Sequence, residues 1–176
     1  MLLAMAGLPA AGKSSVAQEL GRALPAAVVS VDPIEAAMWR AGVERTQPTG
    51  LAAYLVAEAV ADNVLGLGQS VIIDAVNAVQ GARRQWRAPA GRHRVPIAFI
   101  EVVCSDSRLH RQRLERRSRG IEGFEEPTWE AVRQRQAEYE PWTDHRLVLD
   151  SAADLASNAA QAQHYLTQAA RSRPAP

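Results

Sequence analysis

The residues whose types and spacing could do chemistry stand almost at the start of the chain. GLPAAGKS places Gly7, Gly12, Lys13 and Ser14 in the pattern G-x-x-x-x-G-K-[ST]. Glycines at these two places let the backbone wrap so that its N–H groups point inward, and the helix that follows adds the partial positive charge of its N-terminus. The expected product is a polyphosphate cradle formed by Gly7, Leu8, Pro9, Ala10, Ala11, Gly12, Lys13, Ser14 and Ser15. Lys13 would reach the β and γ phosphates, and the Ser14 hydroxyl would join the shell of a Mg²⁺ ion. Of the 20 basic residues Lys13 is the only lysine and 19 are arginine. An ammonium is a compact point charge that can follow a transferring phosphoryl group, whereas a guanidinium prefers planar two-point contacts. Its retention here in an arginine-rich composition therefore carries information.

Two carboxylates follow apolar runs, where the ligand crevice of a parallel sheet lies. Asp32 closes VVSVD and could take the proton of an attacking hydroxyl; the same position before Pro33 also suits a helix N-cap. Asp74 closes VIID and has the form of a Mg²⁺-associated acid, acting directly or through water, or of a turn cap. Asn77 lies in the same loop and could touch substrate or simply make the turn, and Asp150 reads as structural or adenine-side. From Arg83 to Arg119 there are 11 arginines against Glu101, Asp106 and Glu115. A nucleic-acid face would want interleaved aromatics, and this span holds only Trp86 and Phe99. Arg113 and Arg117 are four apart and share a face if the helix continues, one guanidinium over an adenine and the other on phosphates. A solvated helix face is the alternative for each. Trp39, Arg40, Tyr54 and Trp86 are candidates for an acceptor wall or for helix packing.

Elements that could position these groups alternate along the chain. Strands are expected at 2–7, 26–32, 70–76, 95–104 and 146–150, with helices at 13–24, through PIEAAMWRAG, at 51–67, around QGARRQWRA, to about Arg119, through TWEAVRQRQAEYE and in the alanine-rich tail. APAGRHR reads as a breaker, Ser105 or Asp106 as the cap of the arginine-rich helix, and RSRPAP as disordered. Near-continuous apolar strands separated by helices indicate an α/β protein with a parallel sheet covered on both faces.

Composition bounds the rest. With 176 residues, 47% of them hydrophobic, one core and one domain are expected over 1–176, with a lid at about 113–130 and a C-terminal helix at about 152–172. A net charge of +1 gives no general attraction to nucleic acid or anionic membrane. The lone Cys104 excludes an internal disulfide and a thiolate metal cluster, which fits a cytoplasmic setting. The apolar N-terminus has no basic leader, and no segment approaches the roughly 18 apolar residues a membrane helix needs, so an unprocessed soluble chain is expected.

GLPAAGKSS, VSVDPIEAAM, SVIIDAVN and RLERR together make residues 2 to 150 resemble the small P-loop kinases grouped with zeta toxin, chloramphenicol phosphotransferase and the kinase domain of polynucleotide kinase. The resemblance implies a three-layer P-loop NTPase fold with a five-stranded parallel sheet in order 2-3-1-4-5 and a small helical lid, its mobile part at Gly120 to Pro127. It implies transfer of the γ phosphate of ATP, with Mg²⁺, to a hydroxyl. Asp32 matches the proposed catalytic base of that group, Arg113 and Arg117 the arginines over adenine and phosphates. Lys13, Asp32 and Arg117 are thus the expected catalytic set, and Ser14 and Asp74 the expected metal set. Members acting on polynucleotide ends often carry arginine where this chain has Glu35, and an acid there would repel a phosphate. A small hydroxyl-bearing acceptor is therefore favoured over a nucleic acid 5′-hydroxyl, with a nucleotide-gated binding module of slow hydrolysis as the third possibility and a monomer or homodimer as the form.

Overall fold

The central strand is apolar on both sides and is enclosed on both. In the computed structural model, which describes residues 1–171, β1 (Leu2–Ala6) is buried at every position. Leu2 and Ala4 face one core while Leu3 and Met5 face the other, as the twofold period of a strand requires. Around it run α1 (Lys13–Ala23), β2 (Ala26–Ser30), α2 (Val31–Arg40), α3 (Thr49–Gly66), β3 (Ser70–Asp74), α4 (Gln80–Gln85) and α5 (Arg87–Arg92). Then come β4 (Ile97–Val103), α6 (Ser107–Arg116), α7 (Trp129–Ala137), β5 (Leu147–Asp150) and α8 (Leu155–Arg171). All four strand pairings are parallel and the order is β2-β3-β1-β4-β5, as expected.

Three layers result. On one face α1 (Val16, Ala17, Leu20) and α8 (Ala162, Leu166) pack on the sheet; on the other lie α3 and α5. Ala53, Ala57 and Ala61 of α3 recur every four residues, so one small-residue stripe lets that helix approach the strands closely. Among the described residues no helix is long and apolar enough to cross a membrane. The C-terminal ends of β1, β2 and β3 come together, with Ser30 in register with Asp74. This edge carries the phosphate-loop sequence and both acids.

Several boundaries differ from expectation for local reasons. APAGRHR does not break the chain. Pro89 stands in the first turn of α5, where a missing N–H is harmless, and the helix stops at His93 ahead of Arg94 at φ 52°. The arginine-rich helix α6 ends at Arg116 rather than near Arg119, with Arg117 in an extended conformation. Arg113 and Arg117 therefore do not share a helix face. Asp106, one of the two expected caps, accepts hydrogen bonds from the Arg108 and Leu109 amides at 2.9 and 3.1 Å. Asp32 is not a cap: α2 begins at Val31 with Ser30 in the cap position, so Asp32 lies in the first turn with its side chain free for other work. The tail expected to be disordered lies outside the described residues from Ser172 onward.

Candidate active site

Between β1 and α1 the chain turns through three left-handed residues, Gly7 at φ 134°, Ala10 at 61° and Gly12 at 98°. Gly7 is fixed from both sides. Its amide donates to the Val76 carbonyl at 3.1 Å, and a Cβ would lie 3.2 Å from the carbonyl carbon of Val102 and closer still to its oxygen. Gly12 brings no capping side chain to α1, so the first amides of that helix are left for a ligand.

The loop borders a cleft of about 500 Å³, a size suited to a small-molecule ligand. Its lining includes Lys13, Arg113, Arg117 and Arg119 and contains no carboxylate. Arg113 is held by Ser151, whose hydroxyl and carbonyl oxygens accept at 2.8 and 2.9 Å, and so keeps its charge unpaired by acid. Arg117 lies 3.7 Å from Glu126, and burial, with Arg119 next to it, holds its pKa below the ordinary value. Lys13 is 6% exposed, and its ammonium donates to the Leu8 carbonyl at 3.4 Å. Burial lowers the Lys13 pKa, opposed by the charges of Asp74 and Asp32. A buried ammonium among guanidinium groups lacks a full set of partners, and polyphosphate oxygens would supply them.

Asp74 is 8% exposed and accepts a hydrogen bond from the Ser30 hydroxyl at 3.3 Å. With one long bond to an acceptor-only group, it retains lone pairs for the water shell of a cation. No group of three or more His, Cys, Asp or Glu forms a metal cage among the described residues. Magnesium at nucleotide sites takes one or two protein oxygens plus phosphate and water, so a site built from Ser14 and Asp74 fits its chemistry.

The corner beyond Lys13 contains a residue that sequence reasoning missed. Arg119 lines the cleft and also forms an ion pair with Asp32. Its Nε and Nη2 donate to the two carboxylate oxygens of Glu126 at 2.8 and 3.2 Å, and its guanidinium carbon lies 4.5 Å from the centre of the Phe124 ring. Burial works to lower the Arg119 pKa, but the bonds to Glu126 and Asp32 leave it above its ordinary value. Phe124 stacks on Trp39 at 5.6 Å, and Arg45 lies 4.2 Å over the other ring of that pair. The segment after α6 is thereby fastened along α2, from Asp32 in its first turn to Trp39 in its last. Nothing in RRSRG distinguished Arg119 from its neighbours, because the partner that singles it out, Asp32, lies 87 residues away in the sequence.

Other expected contacts resolve into structure. Trp86 is fully buried and its indole N–H donates to Asn77 Oδ1 at 3.0 Å, so it walls no cleft. Asn77 is also fully buried. Its Nδ2 donates to the Met5 carbonyl at 2.6 Å and its amide donates to the Tyr54 hydroxyl at 3.0 Å, which commits it to the loop behind the site. Tyr54 bridges this loop to α3, and burial pushes its pKa up to about 12. Asp150 accepts from the Ser105 and Ala152 amides and is structural. Arg83, one of the basic run, is wholly buried: it donates to the carbonyls of Asn77, Ala78, Glu140 and Pro141 at 2.7 to 3.0 Å and lies 4.0 Å over Trp142. It ties the loop after β3 to the segment after α7.

Comparison with known proteins agrees with this fold. No curated protein matches the sequence. Residues 2–142 match the family described as an AAA domain. Among solved structures, Chaetomium thermophilum Kti12, in complex with ADP-AlF3, is 22% identical with TM-score 0.74, covering 97% of this chain and 99% of that one. A gluconokinase from Sinorhizobium meliloti is 16% identical with TM-score 0.71, over 96% of this chain and 93% of that one. The Mycobacterium tuberculosis APS kinase CysC, in complex with AMPPNP and APS, is 18% identical with TM-score 0.71, over 94% and 96%. The chain belongs to the AAA domain family and has the fold of the small P-loop kinases.

Proposed function

We propose that the chain is an ATP-dependent phosphotransferase that moves the γ phosphate of ATP to a hydroxyl of a small molecule. The carrying observation is the cleft bounded by the left-handed loop, Lys13 and three arginines without one carboxylate, opening beside a carboxylate at Asp32. Such a cleft would recognise a polyphosphate, and an acid joined to it through Arg119 could take a proton from the group that attacks.

Roles follow from position. The loop from Gly7 to Ser15 and Lys13 hold the β and γ phosphates, while Arg113, fixed by Ser151, lies on the nucleoside side. Ser14 and Asp74 are the residues that would hold Mg²⁺, which when bound neutralises charge on the phosphates. The acceptor oxygen forms a bond to the γ phosphorus as the bond from that phosphorus to the β–γ bridging oxygen breaks. The hydroxyl proton passes to Asp32 and ADP leaves. Arg117 and Arg119 meet the charge on the transferring group. Arg119 pairs with Asp32, so drawing its guanidinium onto the phosphates would free that carboxylate as a base.

The test is ATP consumption by the purified protein with Mg²⁺ and a pooled panel of polyols, sugars, nucleosides and amino alcohols, beside Asp32→Asn. Acceptor-dependent turnover that falls at least about 100-fold in the variant is expected of a lost general base. Hydrolysis of ATP indifferent to every acceptor and to the substitution would sink the proposal.

A further inference from the structure

Arg119 is claimed by two places at once. Its guanidinium is seated among Asp32, Glu126 and the Phe124 ring, yet it also lines the cleft that the loop builds for phosphates. The seat is formed in detail. Glu126 receives the fork through both oxygens, Asp32 takes a third N–H, and the aromatic face covers the plane. This corner thus binds a cation in the structure itself, and not by acidity alone, since carboxylate fork and ring face are both matched to a delocalised positive group.

If polyphosphate draws Arg119 away, the seat loses its cation at the moment the acceptor must be bound. Asp32 and Glu126 are then adjacent, and Glu35 stands one helical turn along α2 from Asp32. One oxygen of Glu35 is held by the Thr49 hydroxyl at 2.8 Å, itself hydrogen bonded from Trp39 at 3.1 Å. The second oxygen takes no hydrogen bond from a described residue. Two of the surrounding cations are engaged elsewhere: Arg40 with Glu122, Arg45 with Glu125 and the Gly123 carbonyl. Arg117 lines the phosphate cleft and lies 3.7 Å from Glu126, and the charges of Arg135 and Asp32 both reach Tyr54. Asp32, Glu35 and Glu126 still outnumber the one guanidinium left beside them, and bringing in a second anion there is costly.

We propose that the acceptor is a cationic alcohol, a molecule carrying an amine or guanidine beside the hydroxyl that is phosphorylated, and that its positive group takes the seat formed by Asp32, Glu126 and the Phe124 ring, which Arg119 fills in this structure. This inference rests on the kinase reading above, and it narrows that reading from small hydroxyl compounds in general to aminated ones such as amino sugars, aminocyclitols or amino alcohols.

The experiment uses triads that keep the polyol scaffold and change its charge: glucosamine, glucose and glucuronate; ethanolamine, ethylene glycol and glycolate; an aminocyclitol, the parent cyclitol and a ring carboxylate of the same cyclitol. Product is read by mass spectrometry with full-length protein and MgATP. The amine member is expected to show kcat/KM at least about tenfold above its neutral partner, with the acid poorest, and Glu35→Gln and Glu126→Gln should each shrink that ratio, whatever they do to the absolute rate. Neutral or anionic members turned over as fast or faster would overturn the proposal while leaving the kinase reading standing. If no member is phosphorylated, the same triads are titrated into the protein loaded with Mg²⁺ and AMPPNP and followed by ligand-observed NMR. Selective binding of the amines, weakened in Glu126→Gln, carries the cation seat while counting against the kinase reading. Binding without charge preference, or no binding at millimolar concentration, overturns it.

Discussion

Gly7→Ala tests whether the loop geometry is compulsory. The residue has φ 134°, a conformation in which L side chains are strained by about 1–3 kcal/mol. The added methyl would meet the Val102 carbonyl from β4, part of the ladder next to β1, and relief requires a displacement of about 1 Å at an atom with no rotamer to change. Overpacking of that kind costs about 1–3 kcal/mol, so the sum is about 4 kcal/mol. If the loop yields alone, the competent conformation loses roughly three orders of magnitude in population and MgADP affinity falls with it. If β1 and β4 yield instead, a fall of about 10 °C in Tm is expected for a chain of this size. Calorimetric titration and a thermal scan measure both. Gly81→Ala is the control, since nothing lies within 4 Å of a Cβ there in α4, and it should be neutral or stabilising by about 0.5–1 kcal/mol. A Gly7→Ala protein with Tm within 2 °C and affinity within threefold of the unsubstituted chain, each on the order of measurement error, would refute the reasoning.

Further outcomes follow from the same geometry. Lys13, with its pKa held below 10.5 by burial, binds fewer protons than in the unfolded chain once pH rises through its folded pKa, so its desolvation penalty is relieved on the alkaline side and stability gains there. Nucleotide binding requires the charged form and runs the other way: MgADP affinity should fall as pH rises through that same value, and binding near it should take up a proton, visible as a buffer-dependent binding enthalpy. Asn77→Ala orphans the buried Trp86 N–H and Met5 carbonyl and puts alanine at φ 49°, a loss of about 4 kcal/mol that should lower the urea midpoint sharply. Asp106→Ala removes the cap of α6 and should cost about 1 kcal/mol by urea unfolding, with a modest weakening of MgADP binding because α6 carries Arg113.

What the sequence made legible depended on whether a role is fixed locally. Lys13, Gly7 and Gly12 stand in a short contiguous loop between a strand and a helix, so spacing alone carries their placement. Leu2–Ala6 and Ser70–Asp74 are buried on both faces, and an unbroken apolar run states that directly. Arg83 and Arg119 were opaque for the opposite reason. Each is one of many arginines, and each owes its place to partners far along the chain: Arg83 to carbonyls at 140 and 141, Arg119 to Asp32. Asn77 looked like an ordinary turn residue because the indole and carbonyl it satisfies come from two other segments. Pro89 and Gly91 suggested a break, but a short helix tolerates a proline in its first turn.

The two halves of the site are held by different physics, and this sets where control can lie. The half at the phosphate loop is fixed by backbone turns and buried or carbonyl-anchored cations, none of which moves without cost. The half at Asp32 is closed by side-chain pairs on the segment after α6. Glu122 and Glu125 are 81% and 86% exposed, and pairs of that kind with Arg40 and Arg45 contribute only about 0–1 kcal/mol each. Arg119, by contrast, is 16% exposed and meets two carboxylates and a ring, so most of the closing force resides in one residue. That residue also lines the cleft at the phosphate loop, so a polyphosphate bound there would compete with Asp32 and Glu126 for its guanidinium.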